Sequence, residues 1–411
     1  MITLLLLIFV SLITIFAMKH MKFLSFFLGI AFAIIACSSN NETIPAPEVD
    51  PDGDDGTTEV EFAKGADIGW VTEYESKGYN FYNAKGEQRE CTALMKELGL
   101  DAIRIRVWVD PSKHGNWCNT ADVVEKAKRA KELGMDVMID FHYSDWWADP
   151  AQQNKPASWV GKNLANLKSA IKDHTVSVLQ ALKEIGVIPK WVQVGNEIRP
   201  GMLWDEDVAL SGASYNVTEK DLKDAPASAT DKVVYPMNWA NLGAFVTTGY
   251  DAVKSVFPDA IVIVHLDNGW DSGLFTWFFD ELKKNGGKWD MIGMSLYPYW
   301  SRDAKEGYSS ADAVITDCIS NIKALSTKYN CDVMVVETGM ECADDNGKLA
   351  STSVLNEGKR QLARILKECK ENTNGRCKGV FYWEPECRPS QYRLGAFTEG
   401  GYPTVIMDAF K

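Results

Sequence analysis

The sequence predicts an α/β fold, a (β/α)8 TIM barrel in a single domain, on three observations. A helix-to-strand junction recurs in KELGLDAIRIRV (Lys96 to Val107) and KELGMDVMIDFH (Lys131 to His142), with a variant in KEIGVIPKWVQVGNE (Lys183 to Glu197). At Gly99 and Gly134 the helical pattern stops on the residue best suited to a left-handed C-cap, and a β-branched strand starts within three residues. Eight such strands alternate with helical patterns over about 350 residues, as parallel βα units do. The expected strand ends carry charged and aromatic residues, which suits a barrel whose loops form a functional mouth at the strand C-termini. An open doubly wound sheet would want a Gly-rich phosphate turn after an early strand, and GADIGW does not match it.

In chain order, residues 1–37 read as an export segment. Ile2 to Ala17 is apolar, Lys19, His20 and Lys22 follow, and Phe23 to Ala36 is apolar again before Cys37. The unit from Met21 has the short basic start, apolar stretch and small residue of an export signal. It resembles a bacterial lipoprotein signal, which would make Cys37 the lipidated first residue, although Ile35 is an unusual occupant of that motif. The first run is then either upstream sequence from an over-extended start at Met1 or part of a membrane anchor. Residues 38–61 are acidic and rich in Pro and Gly, a flexible tether. The catalytic domain is expected over 62–411. Its strands are expected at Gly65–Trp70, Ala102–Val109, Asp136–Phe141, Trp191–Gly195, Ile261–Leu266, Met291–Leu296, Asp332–Val336 and Gly379–Trp383. Helical patterns separate them at Ala121–Leu133, Leu164–Glu184, Trp239–Val256, Leu274–Lys284, Ala311–Lys328 and Leu355–Lys370. Leu210 to Tyr235 is long, polar and aperiodic, and either lines extra subsites or covers a helix.

Bulk properties narrow the partners. A net charge of −13 from 43 basic and 56 acidic residues argues against a phosphate backbone, so no nucleic acid is expected. With 14 Trp and 14 Tyr, the chain has flat surfaces to spare for sugar rings, though core packing claims many of them. Setting Cys37 aside leaves eight of nine cysteines, an even number in a chain that reads as exported. Disulfides are therefore expected, with Cys369 and Cys377 bracketing a short loop; free buried thiols are the alternative.

The chemistry collects at the strand ends. Glu197 closes strand four and Glu337 strand seven, on opposite sides of an eight-stranded mouth. Retaining glycoside cleavage needs two carboxyl groups about 5–5.5 Å apart, one protonated and one ionised, with surroundings that hold their pKa values apart. Asn196 is placed to bond a sugar 2-hydroxyl and Tyr297 to orient a nucleophile. His142, Arg106 and Asp145 are expected in a polar network around the same sugar, and Trp108, Trp147, Trp300 and Trp383 as stacking faces. Each has a blander reading: a strand-end Glu is often simply solvated, His142 is a scaffold residue, Arg106 keeps a carboxylate charged, and Trp383 belongs to the core. The joint pattern favours the site.

Asn-Glu at the end of strand four and Glu at the end of strand seven resembles the clan-A retaining glycoside hydrolases. More narrowly, GADIGWV, RIRVWVDP, DFHYSDWWADP, WVQVGNEIRPGMLW, IGMSLYPYW and VVETGM resemble glycoside hydrolase family 53, the endo-β-1,4-galactanases of pectin side chains, from about Lys64 to the end. The resemblance implies Glu197 as acid/base, Glu337 as nucleophile, and a β-1,4-galactan substrate. Bacterial members often hold calcium after strand seven, where Glu341, Asp344, Asp345 and Asn346 offer oxygen donors; a solvated acidic loop is the other reading. Cys118, Cys342 and Cys387 fall in loops near the mouth, where disulfides would brace the cleft. No cofactor is required, since side chains and water fill each role. The expectation is an exported monomer, lipid-anchored at the bacterial cell surface, outer membrane or periplasm, and meeting the membrane only through Cys37. Retaining cleavage of another β-1,4-glycan (mannan, glucan or xylan) and non-catalytic glycan binding are the competing functions.

Overall fold

The computed structural model describes residues 62–204, 239–301 and 310–411. The export segment, the tether, Cys37 and the Leu210 to Tyr235 stretch lie outside the described residues.

Eight parallel strands close into a barrel in sequence order: β1 (Ala63–Asp67), β2 (Ala102–Val107), β3 (Asp136–Phe141), β4 (Trp191–Val194), β5 (Ile261–Leu266), β6 (Met291–Leu296), β7 (Asp332–Thr338) and β8 (Cys377–Trp383). β1 pairs with both β2 and β8. Helices α1 (Cys91–Glu97), α2 (Thr120–Glu132), α3 (Leu164–Glu184), α4 (Trp239–Val256), α5 (Ser272–Lys284), α6 (Ala311–Tyr329) and α7 (Thr352–Glu371) follow the first seven strands. After β8 the place of an eighth helix is taken by a single 3-10 segment, Val405–Phe410, which packs on α7. A two-stranded hairpin, Phe81–Tyr82 with Gln88–Arg89, decorates the loop between β1 and α1.

The repeated junction has one physical basis. At the end of α2, Gly134 takes φ 65°. Its N–H donates to Lys131 O at 2.9 Å, and that of Met135 to Ala130 O at 2.9 Å. This paired closure satisfies carbonyls that the last turn leaves open. The ends of α1 and α3 repeat it through Leu100 to Met95 at 3.1 Å and Val187 to Leu182 at 2.9 Å. N-termini are capped by side chains in the same economical way, Asn119 for α2, Asn163 for α3 and Asp271 for α5.

Strand alternation sorts the core into two parts. Ile103, Ile105 and Val107 of β2 join the apolar layer under the helices, whereas Ala102 belongs to the barrel's inner plug. That plug also contains Met138, Trp191, Ile263, Met291, Met334, Val336 and Phe381. Phe381 and Trp191 meet edge to face at 6.0 Å, each burial contributing roughly 2–3 kcal/mol. Phe381 reaches across because β1 supplies Gly65, where a Cβ would stand 2.2 Å from its ring. Above this plug the inward positions turn polar: Asp67, Arg104, Arg106, Asp140, Gln193, His265 and Ser295 are all buried. A barrel sealed below and polar above can work only at its upper mouth.

The disulfide expectation is corrected here. Among the described residues, Cys91, Cys118, Cys318, Cys331, Cys342, Cys369, Cys377 and Cys387 are all free thiols, and all but Cys331 are buried. The three near the mouth lie in separate settings. Cys118 Sγ faces Gly69 O at 3.8 Å and Cys342 Sγ faces Phe397 O at 3.7 Å, while Cys387 sits beside Tyr74. Cys369 and Cys377 do approach each other, as thiols, over the loop they bracket.

Candidate active site

Strand geometry brings the two carboxylates together. In β4, Trp191 points into the plug and Gln193 is the next inward residue. The chain then turns through Gly195 at φ 80°, where a Cβ would meet Ile198 Cγ2 at 2.5 Å, and Glu197 itself adopts φ 48°. That left-handed geometry costs a non-glycine residue on the order of 1 kcal/mol, and it is held by Gln153 Nε2 donating to Asn196 O at 2.8 Å and by Ile198 N donating to His265 O at 3.0 Å. On β7 the device is a bulge. Met294 pairs with Val335, but Ser295 pairs with Glu337, so β7 holds one extra residue, Val336. Met334 and Val336 face the plug; without the bulge, period-two alternation would turn Glu337 toward the helices.

Glu197 and Glu337 line one cleft of about 430 Å³ with His142, Trp147, Asn196, Tyr297, Trp300 and Trp383, a size typical of ligand sites. Ala148, Asp149, Pro150, Asp267, Asn268, Ser295, Ser301 and Tyr392 complete its wall. Glu337 receives Arg104 Nη1 on Oε1 at 2.8 Å and the Tyr297 hydroxyl on Oε2 at 2.9 Å. Glu197 Oε1 is bonded to Ser295 Oγ at 2.6 Å. Both carboxyls are pushed upward, but unequally. Burial, then the charges of Glu337 and Asp267, push Glu197 well above the usual carboxylate range. Burial also raises Glu337, with Asp140 adding to it, but the Arg104 charge and the Tyr297 hydroxyl offset part of that rise.

Arg104 is the hub. Besides Glu337 it donates to Asp67 at 2.9 Å, Asp140 at 2.8 Å and Asn196 Oδ1 at 2.8 Å. Asn196 Nδ2 donates to Ala148 O at 2.7 Å. His142 has a fixed tautomer: Nδ1 accepts from Trp108 Nε1 at 3.2 Å and from Ala148 N at 3.0 Å, so Nε2 carries the hydrogen and donates to Asp140 at 3.0 Å. The flat walls belong to one aromatic cluster, in which Trp147 lies 5.8 Å from both Trp70 and Trp383, and Trp383 lies 4.8 Å from Tyr392. Trp300 is 52% exposed at the rim, an open face.

Three expected sugar contacts are not on the cleft wall. Arg106 lies one layer behind, bonded to Glu384 and with its guanidinium 4.3 Å from the Trp147 ring centroid; its charge holds Glu384 below the ordinary range against the cost of burial. Asp145 accepts from Asp110 N at 3.0 Å and Ala157 N at 2.8 Å, stitching two loops together. Trp108 is buried between Trp146 and Trp147 and its indole N–H is spent on His142. The acidic loop after β7 does not fit a calcium ion, which wants six to eight converging oxygens. Asp344 Oδ1 is spent on Asn346 N at 2.8 Å and Lys348 N at 2.9 Å, Asp345 pairs with Arg393, and Glu341 faces a separate groove toward Tyr299 and Glu357. Among the described residues no three metal-binding side chains converge.

The glycosyl hydrolase family 53 model matches residues 63–404. The arabinogalactan endo-beta-1,4-galactanase of Thermothelomyces thermophilus is 30% identical over 334 residues, 78% of this chain and 89% of that protein. The structure resembles a fungal beta-1,4-galactanase at TM-score 0.68 and 27% identity, covering 85% of this chain and 98% of the other. It also resembles the family 53 catalytic domain of Ignisphaera aggregans at TM-score 0.70 and 25% identity, covering 87% and 97%.

Proposed function

The chain belongs to glycosyl hydrolase family 53, and on that premise we propose that it is an endo-acting hydrolase of β-1,4-galactan that works by double displacement with retention. In the first step a Glu337 carboxylate oxygen bonds to the anomeric carbon as the glycosidic C–O bond breaks, and Glu197 gives its proton to the departing oxygen. In the second, Glu197 takes a proton from water, the water oxygen bonds to the anomeric carbon, and Glu337 leaves with its electron pair. Arg104 and Tyr297 keep the nucleophile charged. Trp147, Trp300 and Trp383 supply stacking faces, and His142 and Asn196 line the polar side. Side chains and water fill every role.

One observation carries this reading: two strand-end carboxyls share a single cleft, with a guanidinium and a phenol on Glu337 and buried carboxyl neighbours around Glu197. The galactanase relatives named above support the choice of glycan. The signal-like sequence before Cys37 supports export and lipid anchoring, as a monomer tethered at the cell surface or in the periplasm.

Digestion of galactan followed by proton NMR tests the proposal. Short galacto-oligosaccharides of mixed length, first appearing as the β-anomer, are expected, with little release from mannan, glucan or xylan. Glu337→Ala is expected to lose several orders of magnitude while remaining folded. First products in the α-form, or near-normal turnover by that variant, would overturn it.

A further inference from the structure

His265 on β5 and Ser295 on β6 act in neither displacement step as written, yet both are almost completely buried beside Glu197. His265 Nε2 is 2.8 Å from Ser295 Oγ, and Ser295 Oγ is 2.6 Å from Glu197 Oε1. At the other edge of the ring, Nδ1 is 2.9 Å from Gln193 Nε2 and 3.0 Å from Asn196 Oδ1. Burial, with Arg104 and His142 beyond, holds His265 well below the usual imidazole range, so the ring is neutral and has one N–H to place.

Counting hydrogens decides where it goes. Arg104 Nη2 donates to Asp140 Oδ2 and Asn196 Oδ1, each at 2.8 Å, with Gln193 Oε1 a longer third contact at 3.2 Å; the Asn196 amide is set oxygen-first by the guanidinium, and the Gln193 amide by its Nε2 on the Asp140 carboxylate. Gln193 Nε2 spends one hydrogen on Asp140 Oδ1 at 2.7 Å, and its second meets His265 Nδ1 at 2.9 Å, nearer than Asn196 Oδ1 at 3.1 Å, which already accepts from Arg104, or Gly195 O at 3.2 Å. Nδ1 is then an acceptor, Nε2 carries the hydrogen and gives it to Ser295 Oγ, and the one serine hydrogen goes to Glu197 Oε1. The opposite tautomer would use the Asn196 contact, draw the serine hydrogen to Nε2, and force Glu197 to point its own proton at Ser295.

We propose that Arg104, Gln193, His265 and Ser295 form a directional donor chain that occupies Glu197 Oε1 and so reserves Oε2 for the proton exchanged with the glycosidic oxygen. Ser295 and His265 are positioning residues, acting through Glu197, and the inference rests on Glu197 being the acid/base. The other charged groups facing Glu197 are Glu337 from β7, Asp267 from the end of β5, and Asp149 from the loop after β3; Asp267 is itself paired with Arg199 at 2.9 Å. The same Arg104 thereby serves both carboxyls, pairing directly with Glu337 and setting the ring tautomer on the Glu197 side.

Ser295→Ala in the full chain tests this with two substrates and a pH profile. On galactan, which needs the acid, kcat/KM is expected to fall roughly 10- to 100-fold. On a dinitrophenyl β-galacto-oligoside, whose leaving group needs no proton, the loss is expected to stay within about threefold. A lost donor to the charged form raises the acid's pKa, so the alkaline limb of kcat/KM on galactan moves to higher pH. Ser295→Thr, which keeps the hydroxyl, restores both readouts. Equal losses on the two substrates, an unmoved limb, or a limb displaced to lower pH would overturn the chain. Glu197→Ala run alongside separates the two claims: if it loses equally on both substrates, the acid/base reading itself fails. Independently of any variant, 15N-histidine NMR of the wild-type protein is expected to show one ring protonated at Nε2 and unprotonated at Nδ1 that does not titrate; a His265 protonated at Nδ1 contradicts the proposal.

Discussion

Tyr297→Phe removes a single hydroxyl from the cleft, and its consequence can be worked from two distances. The phenol donates to Glu337 Oε2 at 2.9 Å, while Arg104 holds Oε1 at 2.8 Å. A hydrogen bond to a charged group is worth about 1.5–3 kcal/mol, so kcat/KM on galactan should fall by roughly 10- to 150-fold at about 1.4 kcal/mol per decade. The loss stops short of inactivation because the Arg104 ion pair survives. The pH profile has a defined sign: the hydroxyl favours the ionised form of Glu337, so without it the carboxyl holds its proton to higher pH and the acid limb of kcat/KM moves upward. Reducing-end release from galactan between pH 4 and 9, with circular dichroism to confirm folding, is the assay. A loss below threefold with the acid limb in place would refute the assignment of Tyr297 to the nucleophile.

Three further outcomes follow from the same contacts. Glu197→Gln should raise Tm near neutral pH, by a margin that grows as pH rises above the ordinary carboxylate range. A carboxyl whose folded pKa is raised holds its proton in the folded state, so its ionisation opposes folding only above the unfolded value; a scanning calorimetry difference that is flat or shrinking with pH would count against it. Gly65→Ala should destabilise by about 1–3 kcal/mol in urea titration, because the added methyl lands 2.2 Å from the Phe381 ring, and an unchanged midpoint would show that the plug can yield. Trp300→Ala, at an exposed rim face, should raise KM for galactan roughly two- to tenfold with little change in kcat, in keeping with about 0.5–1.5 kcal/mol of stacking; a kcat-only effect would exclude that role.

How much of this was legible in the chain depends on whether the signal was local. The strands were, because the Gly99, Gly134 and Gly186 closures are set within six residues and the β-branched runs that follow have nowhere else to go. Expected and observed strands agree closely, with β1 both starting and ending earlier (Ala63–Asp67), β2 ending earlier at Val107, β7 running on to Thr338 and β8 starting earlier at Cys377. The functional strand ends could be read as a set, but not the depth of each residue. Arg104 and Arg106 alternate identically on β2, and only closure of the barrel decides that the first meets Glu337 and the second Glu384. The Val336 bulge that aims Glu337 inward is a property of the β6–β7 pair and leaves no mark in VVETGM. Asp145 and Trp108 were drawn toward the sugar by their neighbours in sequence, whereas the loops carrying them fold onto each other. His265 and Ser295 did leave a trace: each is a polar residue at an inward position of an otherwise apolar strand, two places beyond Ile263 and Gly293. A buried polar side chain needs a partner, and that alone marks them for attention.

The most direct test is mechanism-based labelling: incubation with an activated 2-deoxy-2-fluoro β-galacto-oligoside, in which the first displacement is fast and the second is slow, followed by peptide mass spectrometry. One sugar adduct per chain, on Glu337, with loss of activity in step, is the expected result. An adduct on any other carboxyl, or complete inactivation without an adduct, would contradict the pairing of Glu197 and Glu337 across one cleft.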